Sequence, residues 1–313
     1  MTLDDRKDLE NLFIPCQSCE DFRLRKFTPL SKQIDLNDID TDFKRCKCGK
    51  RHLDVVMAHI LKIMIDEGIK DKDSTLRNVC TPLITPALPL NSAPYLFNDS
   101  LVILDDEINE SCARRIINEI PEVKGVLKGS IRDTVGVKDS QASPHTYQLL
   151  AGCDLRFDVV YTPWNTLHIC KYQGQIHIEF PKPLSPKIKI LKDILNRYAD
   201  PTVVDCTCGP GTLGIAALKS GVKQVIFNDL WYPACETTLL NLELNGFTVE
   251  ITGEKEGLIG FGENFKVYCM DVKDLKTVLC SKYDICLIDV FPGVDSSTFT
   301  GFVEEICEEV VNI

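Results

Sequence analysis

Apolar and polar positions fall into three regimes along the chain, and each predicts its own elements. Near the start, Val56, Ile60, Ile63 and Met64 recur at helical spacing, which predicts an amphipathic helix over 53–67. Pro82, Pro86, Pro89 and Pro94 mark 79–100 as an extended connector. A strand over 101–104, a helix over 110–119 and a strand over 123–127 then open a β-α-β run. Segments 155–161, 166–172 and 175–180, with a turn at Gln173-Gly174, predict three further strands. From Lys187 onward, helices at 187–198, 212–220, 232–245 and 272–280 alternate with apolar strands at 202–206, 225–228, 265–269 and 284–289. Such alternation indicates a parallel sheet with helices on both faces. A helix at 298–308 and a short strand at 310–313 close the chain. The expected organisation is a Cys-rich module over 1–78, a small α+β domain over 79–186 and a Rossmann-like α/β domain over 187–313.

Candidate chemistry concentrates in the third part. The strand at 202–206 carries Asp205 and runs through Thr207 into a loop with Gly209, Gly211 and Gly214, and then into a helix. Glycines are needed where backbone turns tightly and approaches a ligand with no Cβ in the way. The helix start offers free N–H groups to an anion. An ordinary strand-to-helix turn would look similar, and so would a dinucleotide site. Later strands shift the balance. The second ends in Asn228-Asp229, a carboxylate placed for ribose hydroxyls, and the third runs into Asp271-Val272, suited to an adenine amino group and ring face. The fourth ends at Asp289, followed by Val290, Phe291, Pro292 and Gly293. Ligands of open α/β sheets bind at such carboxyl-terminal strand ends. Asp271 alone reads equally well as a solvated loop residue.

These motifs resemble the class I S-adenosylmethionine-dependent methyltransferases, and more narrowly the tRNA guanine-N1 methyltransferase and wybutosine-synthesis transferase group. Asp205, Gly209 and Gly211 look like that group's first motif. The run from Phe227 to Glu236, with Asn241 and Asn245-Gly246 after it, is similar to its ribose-binding strand and following helix. Upstream, 123–129, 149–152, Thr166, His168, Gly174 and 176–180 are similar to its small preceding domain. The resemblance covers about residues 100–293 and implies S-adenosylmethionine as cofactor, held by Asp205, Thr207, Gly209, Gly211, Asn228, Asp229, Asp271, Val272 and Asp289. Two positions depart from the group: Asp289-Val-Phe-Pro-Gly293 stands where the guanine-N1 enzymes carry Asn-Leu-Pro, and Lys187 follows Ser185-Pro186 where the family has Arg.

Methyl transfer from a sulfonium is an in-line displacement in which positioning does most of the work. Asp289 is the candidate to orient the acceptor and draw its proton, Phe291 to stack on a planar acceptor, and Pro292 and Gly293 to shape the loop. Simple packing is an equal reading for Phe291. The sheet is expected to be cut short after its fifth strand; a pared-down fold, an edge covered by a homo-oligomer or partner subunit, and a fragment of a longer chain are the alternatives, and an unprotected edge favours the second.

The first part carries a different chemistry. Cys16-Gln-Ser-Cys19 and Cys46-Lys-Cys48-Gly49 form a four-thiolate set for structural zinc, with reduced thiols and an iron–sulfur cluster as alternatives. His52 reads as a surface histidine and, second, as a substitute ligand. Most of the remaining cysteines of the chain's 15, Cys286 among them, read as small buried apolar residues. Around the cysteines, Arg23, Arg25, Lys26, Lys44, Arg45, Lys47, Lys50 and Arg51 form a basic cluster suited to an RNA backbone, an acidic protein or solvent. The net charge of −11 argues against a broad nucleic-acid surface but leaves room for a local one. No apolar run reaches the roughly 20 residues of a membrane span, and the charged N-terminus lacks a secretory core, so a cytoplasmic protein is the default. The substrate expected is RNA, tRNA first. A protein methyltransferase and a catalytically silent cofactor-binding subunit are the alternatives.

Overall fold

The computed structural model describes residues 8–137, 145–291 and 297–313. The chain packs as two compact units, one of Met1–Arg156 with Tyr172–Ile178 and one of Phe157–Lys171 with Glu179–Ile313.

The first unit holds, in order, β1 (Arg51–His52), α1 (Leu53–Asp66), β2 (Thr81–Ile84), β3 (Tyr95–Leu96), β4 (Leu101–Asp105), α2 (Glu110–Glu119), β5 (Val123–Lys128) and β6 (Gln148–Gly152). Helix α1 is buried on most sides, with Val56, Ile60, Ile63 and Met64 fully enclosed. His52 caps it, its Nδ1 accepting from the Asp54 amide at 3.1 Å. The expected β-α-β run is present, with β4 and β5 parallel in a sheet of order β2-β4-β5-β6. The proline-rich connector contains two strands that the sequence reading missed. Pro82 is tolerated in β2 because that strand lies at the sheet edge, where a missing N–H costs no ladder bond. The strand expected over 175–180 does not form. Ile176 and Ile178 are buried alternately, but the segment turns back at once, the Ile176 amide donating to the Tyr172 carbonyl at 2.8 Å.

The second unit begins with residues of a two-stranded ribbon, β7 (Leu155–Tyr161) against β8 (Thr166–Tyr172). Then follow α3 (Pro186–Leu195), β9 (Thr202–Asp205), α4 (Thr212–Ser220), β10 (Gln224–Asp229), α5 (Tyr232–Leu244), β11 (Glu250–Ile251), β12 (Gly257–Gly262), β13 (Phe265–Cys269), a 3-10 turn at Val272–Thr277, β14 (Tyr283–Ile288), α6 (Ser297–Val303) and β15 (Cys307–Asn312). The seven strands lie in the order β11-β12-β13-β10-β9-β14-β15. The five from β13 to β15 are parallel, with β9 beside both β10 and β14, so the order of connection reverses at β9. Successive side chains of these strands enter opposite cores: Val203, Val225 and Leu287 on one face, Val204, Ile226 and Ile288 on the other. Each such fully buried side chain contributes about 1.5–3 kcal/mol.

Three expectations are corrected here. The antiparallel pair β11–β12 was not foreseen, because its Gly257, Gly260 and Gly262 weaken the strand signal. The helix expected over 272–280 is one short 3-10 turn, and that over 298–308 ends at Val303, leaving Cys307–Asn312 to pair with β14. Cys286, expected as an unpaired apolar residue, is buried and disulfide-linked to Cys307 across that pairing.

Candidate active site

The parallel strands of the second unit end on the same edge of the sheet, and the glycine loop follows the first of them there. Asp205 ends β9 fully buried. One carboxylate oxygen accepts from the Gly214 amide at 3.0 Å, while Oδ1 is buried with no partner among the described residues. Burial pushes this carboxyl up to about 7, although the Gly214 amide pulls the other way. Gly209 and Gly211 both adopt positive φ, +53° and +82°. A Cβ on Gly209 would meet nothing within 4 Å, so the loop lies open there. Gly214 is required for packing instead: a Cβ would stand 2.2 Å from the Phe227 ring on β10.

Helix α5 fastens the loop from behind. Thr238 donates to the Gly209 carbonyl at 2.9 Å, and Asn241 Nδ2 to the Pro210 carbonyl at 2.9 Å. The same Asn241 amide takes both backbone groups of Cys170, accepting from its N–H at 2.8 Å and donating to its carbonyl at 3.1 Å. One turn later Asn245 does so with His168, at 3.1 and 2.7 Å. Two asparagines four residues apart thus stand in for a neighbouring strand along β8. The Asn-x-x-x-Asn spacing was visible in the sequence, but its role as a strand mimic was not.

The strand-tip residues arrive with different engagements. Asp229 accepts from the Gly209 amide on one oxygen and the Trp231 amide on the other, both at 2.9 Å, and burial raises its pKa. Each oxygen keeps a further lone pair for a hydroxyl. Asn228 ties strand tips together: its amide donates to the Cys206 and Met270 carbonyls, both at 3.1 Å, and its Oδ1 is buried without a partner among the described residues. Asp271 caps the 3-10 turn through the Lys273 amide at 3.1 Å and pairs with the Lys273 ammonium at 2.9 Å, while Val272 is buried beside it. Thr207 joins the first and fourth strand ends, donating to the Asp289 carbonyl at 2.9 Å and accepting from the Asp289 amide at 3.0 Å. Phe291 is half-buried. Pro292 and Gly293 lie outside the described residues.

A line of alternating charges leads to Asp289. Its carboxylate pairs with Lys187 at 2.6 Å, Lys187 with Glu179 at 3.5 Å, Glu179 with Lys171 at 2.8 Å and Lys171 with Asp158 at 2.9 Å. Burial alone would lower the Lys171 ammonium, but Asp158 and Glu179 outweigh it and hold the group above its ordinary value. Lys187 is raised in the same way, Asp289 and Glu179 outweighing burial. Sequence reasoning noted Lys187 only as a departure from Arg.

In the first unit, Cys16, Cys19, Cys46 and Cys48 bring their sulfurs together within 4.8 Å. Neighbouring sulfurs stand 3.5 Å apart for Cys16 and Cys46 and 3.7 Å for Cys19 with each of Cys16 and Cys48. The edge of a tetrahedron with ligands at about 2.3 Å is about 3.8 Å, so the set fits a tetrahedral metal. Gly49 closes the second pair at φ +87°, its amide donating to the Cys46 carbonyl at 2.8 Å.

Part of the basic cluster is engaged internally. Arg51 is fully buried in a two-point pair with Glu122, at 2.9 and 2.5 Å. Arg45 also reaches Glu122, at 3.0 Å, and donates to the Thr41 and Gly49 carbonyls. Lys50 donates to the Ile14 carbonyl at 3.0 Å, and Lys44 pairs with Glu20 at 3.0 Å. His52, expected at the surface, is buried edge-on against Tyr95.

The family model for ribosomal protein L11 methyltransferase matches residues 187–265. A ribosomal protein L11 methyltransferase of Shewanella piezotolerans is 29% identical over 118 residues, 36% of this chain and 38% of that protein. Ribosomal RNA large subunit methyltransferase I of Photobacterium profundum is 46% identical over 48 residues, 15% of this chain and 12% of that protein. The chain thus spans well under half the length of these relatives. Among solved structures, the M. jannaschii tRNA m1G37 methyltransferase aligns with a TM-score of 0.39 and 16% identity, over 73% of this chain and 58% of that one. By its strand order and by the match over 187–265, the second unit has the fold of the class I S-adenosylmethionine-dependent methyltransferases.

Proposed function

We propose that this protein is an S-adenosylmethionine-dependent methyltransferase whose substrate is RNA, with transfer RNA the first to test. The observation that carries the methyltransferase reading is the buried, unpartnered Oδ1 of Asp205 beside the open Gly209 turn, at the point where the sheet's connections reverse between β9 and β14. An orphaned buried oxygen costs about 1–3 kcal/mol unless a ligand satisfies it. A donor-bearing, positively charged ligand fits that oxygen, and the missing Cβ leaves room for it.

The bound cofactor supplies a methyl group on a sulfonium. Around it, Asp205, Thr207, Gly209 and Gly211 form the floor, Asp229 faces the ribose hydroxyls, and Asp271 and Val272 take the adenine. Asn228 keeps two of the strand tips at fixed spacing. Asp289, oriented through Lys187, takes the acceptor's proton, with Phe291 against its ring plane and Pro292 in the same loop. The four cysteines hold a structural zinc ion.

The match to a ribosomal RNA methyltransferase supports an RNA substrate. The match to ribosomal protein L11 methyltransferases favours a second reading, a protein substrate. Incubation with radioactive methyl donor and a cell extract, followed by nuclease or protease digestion, tests the choice. Label lost to nuclease is the expected result. Label that survives nuclease and is lost to protease would replace the RNA reading with the protein one.

A further inference from the structure

Four of the eight cations around the cysteines are in ion pairs, Arg23 with Asp21, Lys44 with Glu20, and Arg45 and Arg51 with Glu122, and Lys50 is engaged by backbone carbonyls. Arg25, Lys26 and Arg77 differ. All three are exposed and make no ion pair among the described residues. They surround Phe27, whose ring is 79% exposed, the most of any large apolar side chain described. An isolated exposed aromatic needs no explanation, but this one is built into place. The turn from Arg25 to Thr28 is clamped by the Gln33 side chain, which accepts from the Arg25 amide at 2.7 Å and donates to the Arg25 and Thr28 carbonyls at 3.0 and 2.9 Å. The Arg77 amide donates to the Lys26 carbonyl at 3.2 Å, and the Arg77 guanidinium lies 5.7 Å from the Phe27 ring centroid.

We infer that this turn is a single-stranded RNA platform, a reading that rests on the RNA substrate proposed above. An unstacked base lies on Phe27 while Arg25, Lys26 and Arg77 take the flanking phosphates. The chemistry is that of sequence-tolerant strand binding, in which an aromatic face supplies stacking and nearby cations follow the backbone. A held turn suits this role because little side-chain and backbone freedom remains to be lost on binding. In a chain of net charge −11, three cations without ion pairs beside one exposed ring form a local site for a polyanion. The platform also relocates the RNA contact from the metal-facing cluster, whose Arg45, Lys50 and Arg51 are engaged internally.

Fluorescence anisotropy with labelled oligouridine and with labelled transfer RNA tests this on the full chain. Phe27→Ala is expected to weaken oligouridine binding between about 5- and 150-fold, and Phe27→Trp to retain it. The Arg25→Ala/Arg77→Ala double variant should reduce the slope of log affinity against log salt by about 1.4 for a single strand. Calorimetric affinity for S-adenosylmethionine should stay unchanged in every variant, which separates the effect from misfolding. Equal RNA affinity in wild type and variants overturns the platform and leaves the RNA substrate standing. A wild-type chain that binds neither probe at low salt and labels only protein overturns both.

Discussion

Lys187 holds the carboxylate of Asp289 at 2.6 Å although 102 residues separate them in the chain. The lysine comes from the first turn of α3 and the aspartate directly follows β14, so the contact fixes a helix start against a strand tip. Behind the lysine stand Glu179, Lys171 and Asp158, each opposite in sign to its neighbour. Asp289 therefore sits in a set direction, as the acceptor-orienting role proposed for it requires.

Removing the lysine head should disturb that direction. Lys187→Met is expected to lower the methyl-transfer rate on the order of a hundredfold, the cost of misplacing reacting groups by about an ångström. Cofactor affinity should change little, and Lys187→Arg should recover most of the rate because it keeps the charge. Single-turnover transfer and calorimetry read the two quantities separately. Equal losses in both would assign Lys187 to cofactor binding instead.

Asp205 makes a prediction about stability. Its folded-state pKa of about 7 stands above the ordinary 3.8. Between those values the folded chain keeps a proton that the unfolded chain has released, so stability falls as pH rises from about 4 to 7. Asp205→Asn cannot ionise and keeps an oxygen for the Gly214 amide. The variant should match wild type near pH 4 and exceed it at pH 8 by as much as a few kcal/mol, while binding S-adenosylmethionine more weakly. Urea denaturation at both pH values measures the difference, and parallel profiles for the two proteins would place the titration elsewhere.

What the sequence made legible follows from the range of the forces involved. The glycine turn and the alternation of helices with apolar strands are local patterns, and both were readable. Asn228 was read as a cofactor contact, and its amide also bridges Cys206 and Met270 across three strands, a relation no local pattern encodes. Arg51 was read as part of an exposed basic cluster, yet Glu122, 71 residues away, draws it fully inside. His52 beside it was misjudged for the same reason. The glycines of β12 concealed a strand because they weaken strand propensity while letting Leu239 approach.

Asn241 carries four bonds from one side chain, three to Cys170 and one to the Pro210 carbonyl. Asn241→Ala leaves the buried amide and carbonyl of Cys170 unsatisfied, at about 1–3 kcal/mol each. The expected loss is about 2–4 kcal/mol by chemical denaturation, with weaker cofactor binding because the glycine turn loses a tether. Asn245→Ala should cost stability but less cofactor affinity, since its bonds go to His168 and its own helix rather than to the loop. A loss below 1 kcal/mol for Asn241→Ala would mean water replaces the side chain and β8 needs no surrogate partner.

The four sulfurs of Cys16, Cys19, Cys46 and Cys48 stand at distances that suit tetrahedral coordination. Cys16 and Cys48 are exposed and Cys19 and Cys46 only partly buried, so burial of these side chains supplies little cohesion. Structural zinc contributes about 10 kcal/mol or more in comparable small modules. Purified protein should carry one equivalent of zinc and be colourless, whereas an iron–sulfur cluster would absorb in the visible. Chelation, or Cys46→Ser, should lower the melting temperature and free the Cys48 and Gly49 turn to proteolysis. Because Arg45 and Lys50 are tied to Gly49 and Ile14, loss of the metal should also loosen the contacts around Glu122. Zinc well below one equivalent, with melting indifferent to chelator, would leave four reduced thiols and shift the burden of holding this turn to Arg45 and Lys50 alone.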